Sequence, residues 1–200
     1  LVWQQSRERE LIVIDATCPL VTKVHLEAIK YAKEGYSIFL IGHKGHDEVI
    51  GTMGEAPDAS ILIEDIARAN SVQVSDPDRV VALTQTTLSV NDTSEIMQVL
   101  KHRFPNLISR NDICYATTNR QAAVKAITNE VDLVMVIGAQ NSSNCNRLRE
   151  VAEAQGVPAY LINGPEDIQG EWLDGVERVG ITSGASTPER LVDDVVASLK

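Results

Sequence analysis

Two cysteines 96 residues apart, Cys18 and Cys114, each open a copy of one sequence pattern. The first copy runs Asp15-Ala16-Thr17-Cys18, a helical stretch, the apolar run Ser37-Ile38-Phe39-Leu40-Ile41-Gly42, and a polar loop, His43-Lys44-Gly45-His46-Asp47-Glu48. The second runs Asn111-Asp112-Ile113-Cys114, a helical stretch, Leu133-Val134-Met135-Val136-Ile137-Gly138, and Ala139-Gln140-Asn141-Ser142-Ser143-Asn144. From cysteine to closing glycine is 24 residues in both. A second pair of stretches, 81–87 and 179–185, also matches in pattern. Two α/β units that each deliver a cysteine and a polar loop can face one another across a shared site.

Each cysteine falls at a strand-to-helix junction, where a helix N-terminus favours the thiolate. A single buried cysteine is usually a small hydrophobe. Two in register suit a soft metal or an iron–sulfur cluster, although two ligands are too few to complete either. Cys145 is in register with neither and reads as a small residue in the first turn of a helix. His46 and Glu48 form a candidate proton-transfer pair. As metal ligands, His43 and His46 have only a weak spacing signal. The segment 141–144 places hydroxyls, amides and free backbone N–H groups between a strand and a helix, a ready anion site. One such residue would serve as a cap; four favour phosphate or diphosphate. Ser183-Gly184-Ala185-Ser186-Thr187-Pro188 has the same context. His25 and His102 read as structural or solvent-facing.

These residues need a scaffold. Residues 11–14 read as a short buried strand, Pro19 as the first turn of a helix ended by Gly35, and 37–41 as a strand. Further strands are expected at 61–63 and 80–83, with a helix capped by Ser89 or Asn91 and running to about Arg103. The second unit repeats the order: helix 117–129, strand 131–137, helix 142–155, strand 159–162, a short helical piece at 165–168, strand 176–181 and a last helix from Pro188. Strands alternating with helices imply parallel sheets with helices on both faces, the α/β class. The loops after Ile41, Leu83, Ile137 and Ile181 all follow strands, so they gather at the carboxyl ends where ligands bind in such folds.

Composition bounds the function. Two hundred residues with 44% apolar content can build one large or two small cores. A net charge of −10 without a Lys/Arg cluster argues against general nucleic-acid binding, yet leaves room for a small anion held by neutral donors. No run approaches the roughly 20 apolar residues of a membrane span, and the start is no signal peptide. Three scattered cysteines are no disulfide framework and fit a reducing, intracellular setting. A start without Met inside an apparent helix, and an end in an uncapped helix, suggest a fragment or trimmed chain.

Six stretches carry a resemblance: 15–25, 45–54, 84–89, 113–121, 141–144 and 184–186. On them the sequence resembles the 4-hydroxy-3-methylbut-2-enyl diphosphate reductase (LytB) family, along nearly the whole chain and in the expected order. The resemblance implies three pseudo-repeated α/β domains around a central [4Fe–4S] cluster, each domain supplying one cysteine. Residues 1–18 would end the first domain, 19–110 form the second and 111–200 the third. The family's first cysteine and two diphosphate-binding histidines would precede Leu1, and its C-terminal tail would follow Lys200. Cys18 and Cys114 then match cluster ligands and Glu48 the proton-relaying acid. His46 and Thr86 match residues around the substrate's hydroxyl and diphosphate, with Thr87 a neighbouring candidate. Ser142, Ser143, Asn144 and Ser186 match a diphosphate clamp.

The implied reaction is reductive dehydroxylation of 4-hydroxy-3-methylbut-2-enyl diphosphate to isopentenyl and dimethylallyl diphosphate. Two electrons would come from a ferredoxin- or flavodoxin-type donor, in the cytoplasm or, in a plant or alga, the plastid. Three thiolates leave one iron free to act as a Lewis acid on the substrate alkoxide. With two of three cysteines, this chain alone is expected to be an incomplete enzyme. Two other readings are a zinc hydrolase using His43, His46 and cysteine, and a non-catalytic phosphate-binding module with the cysteines as core residues.

Overall fold

A computed structural model describes residues 2–110 and 112–200. Leu1, the first residue of segment 1–18, and Asn111, which opens the second copy of the pattern and segment 111–200, lie outside the described residues.

The first unit runs α1 (Val2–Glu8), α2 (Pro19–Lys33), β1 (Ser37–Ile41), α3 (Asp47–Glu55), β2 (Ser60–Ile63), α4 (Ile66–Ser71), β3 (Val80–Thr84), α5 (Val90–Arg103) and β4 (Ile108–Ser109). Its strands form one parallel sheet in the order β2-β1-β3-β4. The second unit runs α6 (Tyr115–Ile127), β5 (Leu133–Ile137), α7 (Ser143–Glu153), β6 (Ala159–Ile162), two short 3-10 turns, β7 (Val179–Ser183) and α8 (Glu189–Ser198). Its parallel sheet has the order β6-β5-β7. The α/β architecture expected from the alternation is the one observed.

Both central strands are buried on both faces, which is why they read as unbroken apolar runs. Alternation sends Phe39 and Ile41 into one core with Ala69, Ile96 and Leu100 of α4 and α5. Ile38 and Leu40 enter another with Val24, Ala28 and Tyr31 of α2 and Val49 of α3. In the second sheet Val134 and Val136 meet Val124, Leu148 and Val151, while Leu133, Met135 and Ile137 meet Val195 of α8. The carboxyl ends of β1, β3, β5 and β7 are therefore rigidly placed. Pro19 opens α2, and Gly35 at φ 77° closes it, with Gly35 N–H donating to Ala32 O and Tyr36 N–H to Tyr31 O.

Three sequence expectations are corrected. Leu11, Ile12, Val13 and Ile14 are exposed and in no strand, with Ile12 95% accessible. An apolar run becomes a buried strand only where a neighbouring strand takes up its backbone groups, and no described segment does so here. Residues 47 and 48 are helical rather than loop. His46 caps α3 through Nδ1, accepting the Glu48 N–H at 3.2 Å, and acidic residues suit the first turn that follows. The last strand starts at Val179, not 176, because the Asp132 carboxylate takes the N–H groups of Glu177 and Arg178, which are then not available to a neighbouring strand.

Candidate active site

The loops gather as their positions after the strands require. Gln85, just past β3 and 2% exposed, is the hub of the seam between the units. Its Oε1 accepts the His43 N–H at 3.0 Å, and its Nε2 donates to Thr87 Oγ1 at 2.9 Å and Ser143 Oγ at 3.4 Å. Thr87 and Ser143 hydroxyls also meet directly at 3.0 Å. The two polar loops thus touch through neutral side chains.

Glu48 holds the next residue of the same loop. Thr86 N–H donates to Glu48 Oε2 at 2.7 Å and Thr86 Oγ1 to Oε1 at 2.9 Å. The Thr86 carbonyl in turn accepts the Cys114 N–H at 2.9 Å. Acid, threonine and cysteine backbone form one continuous path. Because His46 Nδ1 accepts the Glu48 N–H, the neutral ring carries its proton on Nε2, which is its remaining donor. Sequence had paired His46 with Glu48 for proton transfer; the described contact is through the glutamate backbone.

The anion loop is built on α7. Ser142 caps it, accepting the Cys145 N–H at 3.3 Å, so its own O–H stays available to donate. Asn144 is 8% exposed, and among the described residues neither its Oδ1 nor its Nδ2 has a hydrogen-bond partner. A buried amide left unpaired costs stability, so its retention points to a ligand that supplies the missing bonds. Ser142 and Ser186 share a cleft of about 240 Å³ with Gly138 and Thr187. Ser186 itself is exposed at the rim. Cys145 is buried and packs between the two loops: a Cβ at Gly184 would fall 2.5 Å from its Sγ, and one at Gly138 would also collide. It is the packing residue that its sequence position suggested.

Cys18 and Cys114 are caps with nearly the same backbone, φ −55°, ψ 133° and φ −59°, ψ 133°, of α2 and α6. Neither thiol makes a capping hydrogen bond, and neither is in a disulfide. Cys18 is exposed and Cys114 half-buried. Two soft donors left unengaged at helix N-termini fit thiolate ligation in kind. Among the described residues no group of three or more His, Cys, Asp or Glu is assembled for a metal.

Several residues that sequence reading passed over organise the seam. On α6, Gln121 donates to Leu88 O at 2.8 Å and accepts the Val90 N–H at 3.3 Å, while Arg120 donates to Ser183 O at 3.2 Å. Arg147 of α7 reaches Asp92 Oδ2 and His43 Nε2, each at 3.3 Å. Burial of part of the ring first, and then the Arg147 guanidinium, lower the His43 pKa below its ordinary value. Asp112 beside Lys23, mainly through their hydrogen bond, raises the Lys23 pKa. His43 and His46 are engaged in separate contacts rather than converging as zinc ligands would. His25, on α2, packs against Gly51, and His102 lies exposed in the last turn of α5.

Two parallel-sheet units that touch through the Gln85, Thr87 and Ser143 side chains, and that carry an unpaired amide, a carboxylate–threonine pair and two cysteines at helix caps, define an α/β protein with its polar site at the carboxyl ends of both sheets. The chain belongs to the LytB protein family, whose model matches residues 1–200. It is 53% identical to the 4-hydroxy-3-methylbut-2-enyl diphosphate reductase of Pseudomonas entomophila and 52% identical to that of Pseudomonas aeruginosa. Both matches cover the whole chain and 65% of the relative. The structure of the E-1-hydroxy-2-methyl-but-2-enyl-4-diphosphate reductase from Plasmodium falciparum superposes with a TM-score of 0.93 and 40% identity, over 98% of this chain and 62% of that one. A second solved structure, the (E)-4-hydroxy-3-methyl-but-2-enyl diphosphate reductase described as the terminal enzyme of the non-mevalonate pathway, gives 0.62 and 34%, over 99% and 71%. The chain thus spans just under two thirds of the curated relatives it matches.

Proposed function

We propose that this chain carries the proton-delivery and diphosphate-binding parts of a 4-hydroxy-3-methylbut-2-enyl diphosphate reductase. The reaction replaces the allylic hydroxyl by hydrogen: substrate, two electrons and two protons give isopentenyl or dimethylallyl diphosphate and water. The observation that carries this reading is the path from Glu48 through Thr86 to Cys114. It ties an acid to a cysteine backbone through three hydrogen bonds, beside a loop whose Asn144 amide is unpaired among the described residues.

In the resting arrangement Glu48 accepts at both oxygens, as a carboxylate does. A proton taken up at Oε1 reverses the side-chain bond, so that Glu48 donates to Thr86 Oγ1. The Thr86 hydroxyl proton is then free for a leaving hydroxyl nearby, which departs as water. His46 Nε2–H, Thr87, Ser142, Ser143, Asn144 and Ser186 would grip the diphosphate with neutral donors at the start of α7. When bound, a [4Fe–4S] cluster with Cys18 and Cys114 among its thiolate ligands would supply the electrons and a Lewis-acidic iron. The electrons would reach it from a ferredoxin- or flavodoxin-type donor. We take 19–110 and 111–200 as the second and third units of the family's three. Three unpaired cysteines suit work in a reducing cytoplasm.

The test is turnover. The chain is reconstituted anaerobically with iron and sulfide, alone and together with the part of the Pseudomonas aeruginosa relative that it does not match. It is then given the diphosphate substrate and a low-potential reductant. Formation of both allylic reduction products, dependent on reductant and on Glu48, is expected. Product formed without reductant contradicts the proposal.

A further inference from the structure

The two cysteines sit on segments joined by a set of charges for which folding alone gives no reason. Lys23 lies one turn into α2, five residues after Cys18, and its Nζ is 2.9 Å from Asp112 Oδ1, two residues before Cys114. The Asp112 side chain is fully buried, while that of Lys23 is 52% exposed. Among the described residues Asp112 Oδ2 has no hydrogen-bond partner. Desolvating a carboxylate is expensive, and pairing one of its oxygens with a half-solvated cation returns little of that cost. An amide or an apolar side chain would serve folding as well. Around the pair, Glu27 lies 4.0 Å from Lys23 and 3.9 Å from Arg110, so two charges on the helix alternate with two on the lead-in to Cys114.

The geometry shows what this arrangement secures. Cys114 is fixed to β3: Arg110 N–H donates to Ala82 O, Asp112 N–H to Thr84 Oγ1 and Cys114 N–H to Thr86 O. None of these bonds reaches α2. That helix is held to the sheet by Val24, Ala28 and Tyr31, all beyond its first turn, and every residue from Arg9 to Pro19 is exposed. The first charged tether after Cys18 is Lys23.

We infer that Lys23 and Asp112 are positioning residues, a strut that sets Cys18 against Cys114 before any metal arrives. The inference rests on reading the two cysteines as ligands of one cluster. It adds that the chain spends buried charge to hold them in register.

The test measures the thiols directly, without metal. Nitroxide labels are placed on Cys18 and Cys114 of the metal-free chain; Cys145, 2% exposed, is shielded from the reagent. The distance distribution between the labels is then read by pulsed dipolar spectroscopy. Wild type and Lys23→Arg are expected to give one narrow distribution. Lys23→Met and Asp112→Asn should broaden it and shift it, with unchanged circular dichroism. If Asp112→Asn fails to fold, Lys23→Met, at a half-exposed position, decides alone. A distribution as narrow in Lys23→Met as in wild type overturns the strut. Iron retention against a chelator, in the chain combined with the unmatched part of the Pseudomonas aeruginosa relative, is the second readout, and Lys23→Met should lower it about 10- to 100-fold, the usual loss for groups that orient metal ligands. Iron uptake that survives Cys18→Ser and Cys114→Ser would count against the cluster reading, while the distance measurement still decides the strut.

Discussion

Glu48 grips Thr86 with both carboxylate oxygens, one on the backbone N–H at 2.7 Å and one on the hydroxyl at 2.9 Å. The two residues come from different elements, the first turn of α3 and the loop after β3. That bidentate grip makes the acid a fixed part of the site rather than a surface charge. Replacing Glu48 by Gln keeps an acceptor for Thr86 but removes the transferable proton. Turnover should fall about 10²- to 10⁴-fold, the share a positioned acid supplies. Steady-state assays beside a thermal melt check this, and full turnover in Glu48→Gln would remove Glu48 from the mechanism.

At Asn144 stability and the proposed anion binding pull in opposite directions. Both polar atoms of its buried amide lack partners, so Asn144→Leu should melt at the same temperature as wild type or higher. Its affinity for inorganic pyrophosphate should drop about tenfold, the worth of one net hydrogen bond near 1.4 kcal/mol. Calorimetric titration and melting of the same preparation test both halves. Unchanged affinity would take Asn144 out of the clamp.

Gln85 spends both ends of its amide on the seam, so Gln85→Ala orphans the His43 N–H and loosens Ser143. A loss of about 1 kcal/mol is expected for the lost hydrogen bond, because His43 is exposed and water can reach its freed N–H. Hydrogen exchange should report faster exchange of the His43 amide while the strands of both sheets stay protected. Equal protection of His43 in both proteins would deny the hub.

His43 ties stability to pH. Its folded-state pKa lies below the ordinary 6.5, first through burial and then through Arg147. The unfolded chain therefore binds the proton first, so the stabilising contribution is complete above 6.5 and is lost as pH falls from there through the lower folded value. Melting temperature followed down through this window should fall more steeply for wild type than for His43→Gln. Parallel curves would show that folding does not lower the His43 pKa.

Much of the fold was legible because its signals are local. Unbroken apolar runs at 38–41 and 133–137, Pro19, Gly35 and the serine caps at 89 and 142 each specify an element within a few residues. What escaped depends on distant partners. The run 11–14 looks like a strand because strand-forming residues carry no record of whether a neighbour exists. Helix α3 was hidden because His46, an uncommon cap, stands where Ser or Asp would have announced it. At the site, residue types with chemical reputations were found first: cysteines, Glu48 and the Ser-Ser-Asn run. Gln85, Gln121, Arg147 and the Lys23–Asp112 pair gain their roles only from contacts 31 to 104 positions away in sequence. No spacing rule reaches that far.

The reading of Cys18 and Cys114 as ligands of one iron–sulfur site can be tested on the thiols themselves. The measurement that tests it most directly is iron content with the visible spectrum after anaerobic reconstitution, made on the chain alone and together with the unmatched part of the Pseudomonas aeruginosa relative. Brown protein with bound iron is expected in the combined sample, lost in both Cys18→Ser and Cys114→Ser. The same iron content and spectrum in either serine variant as in wild type would contradict it.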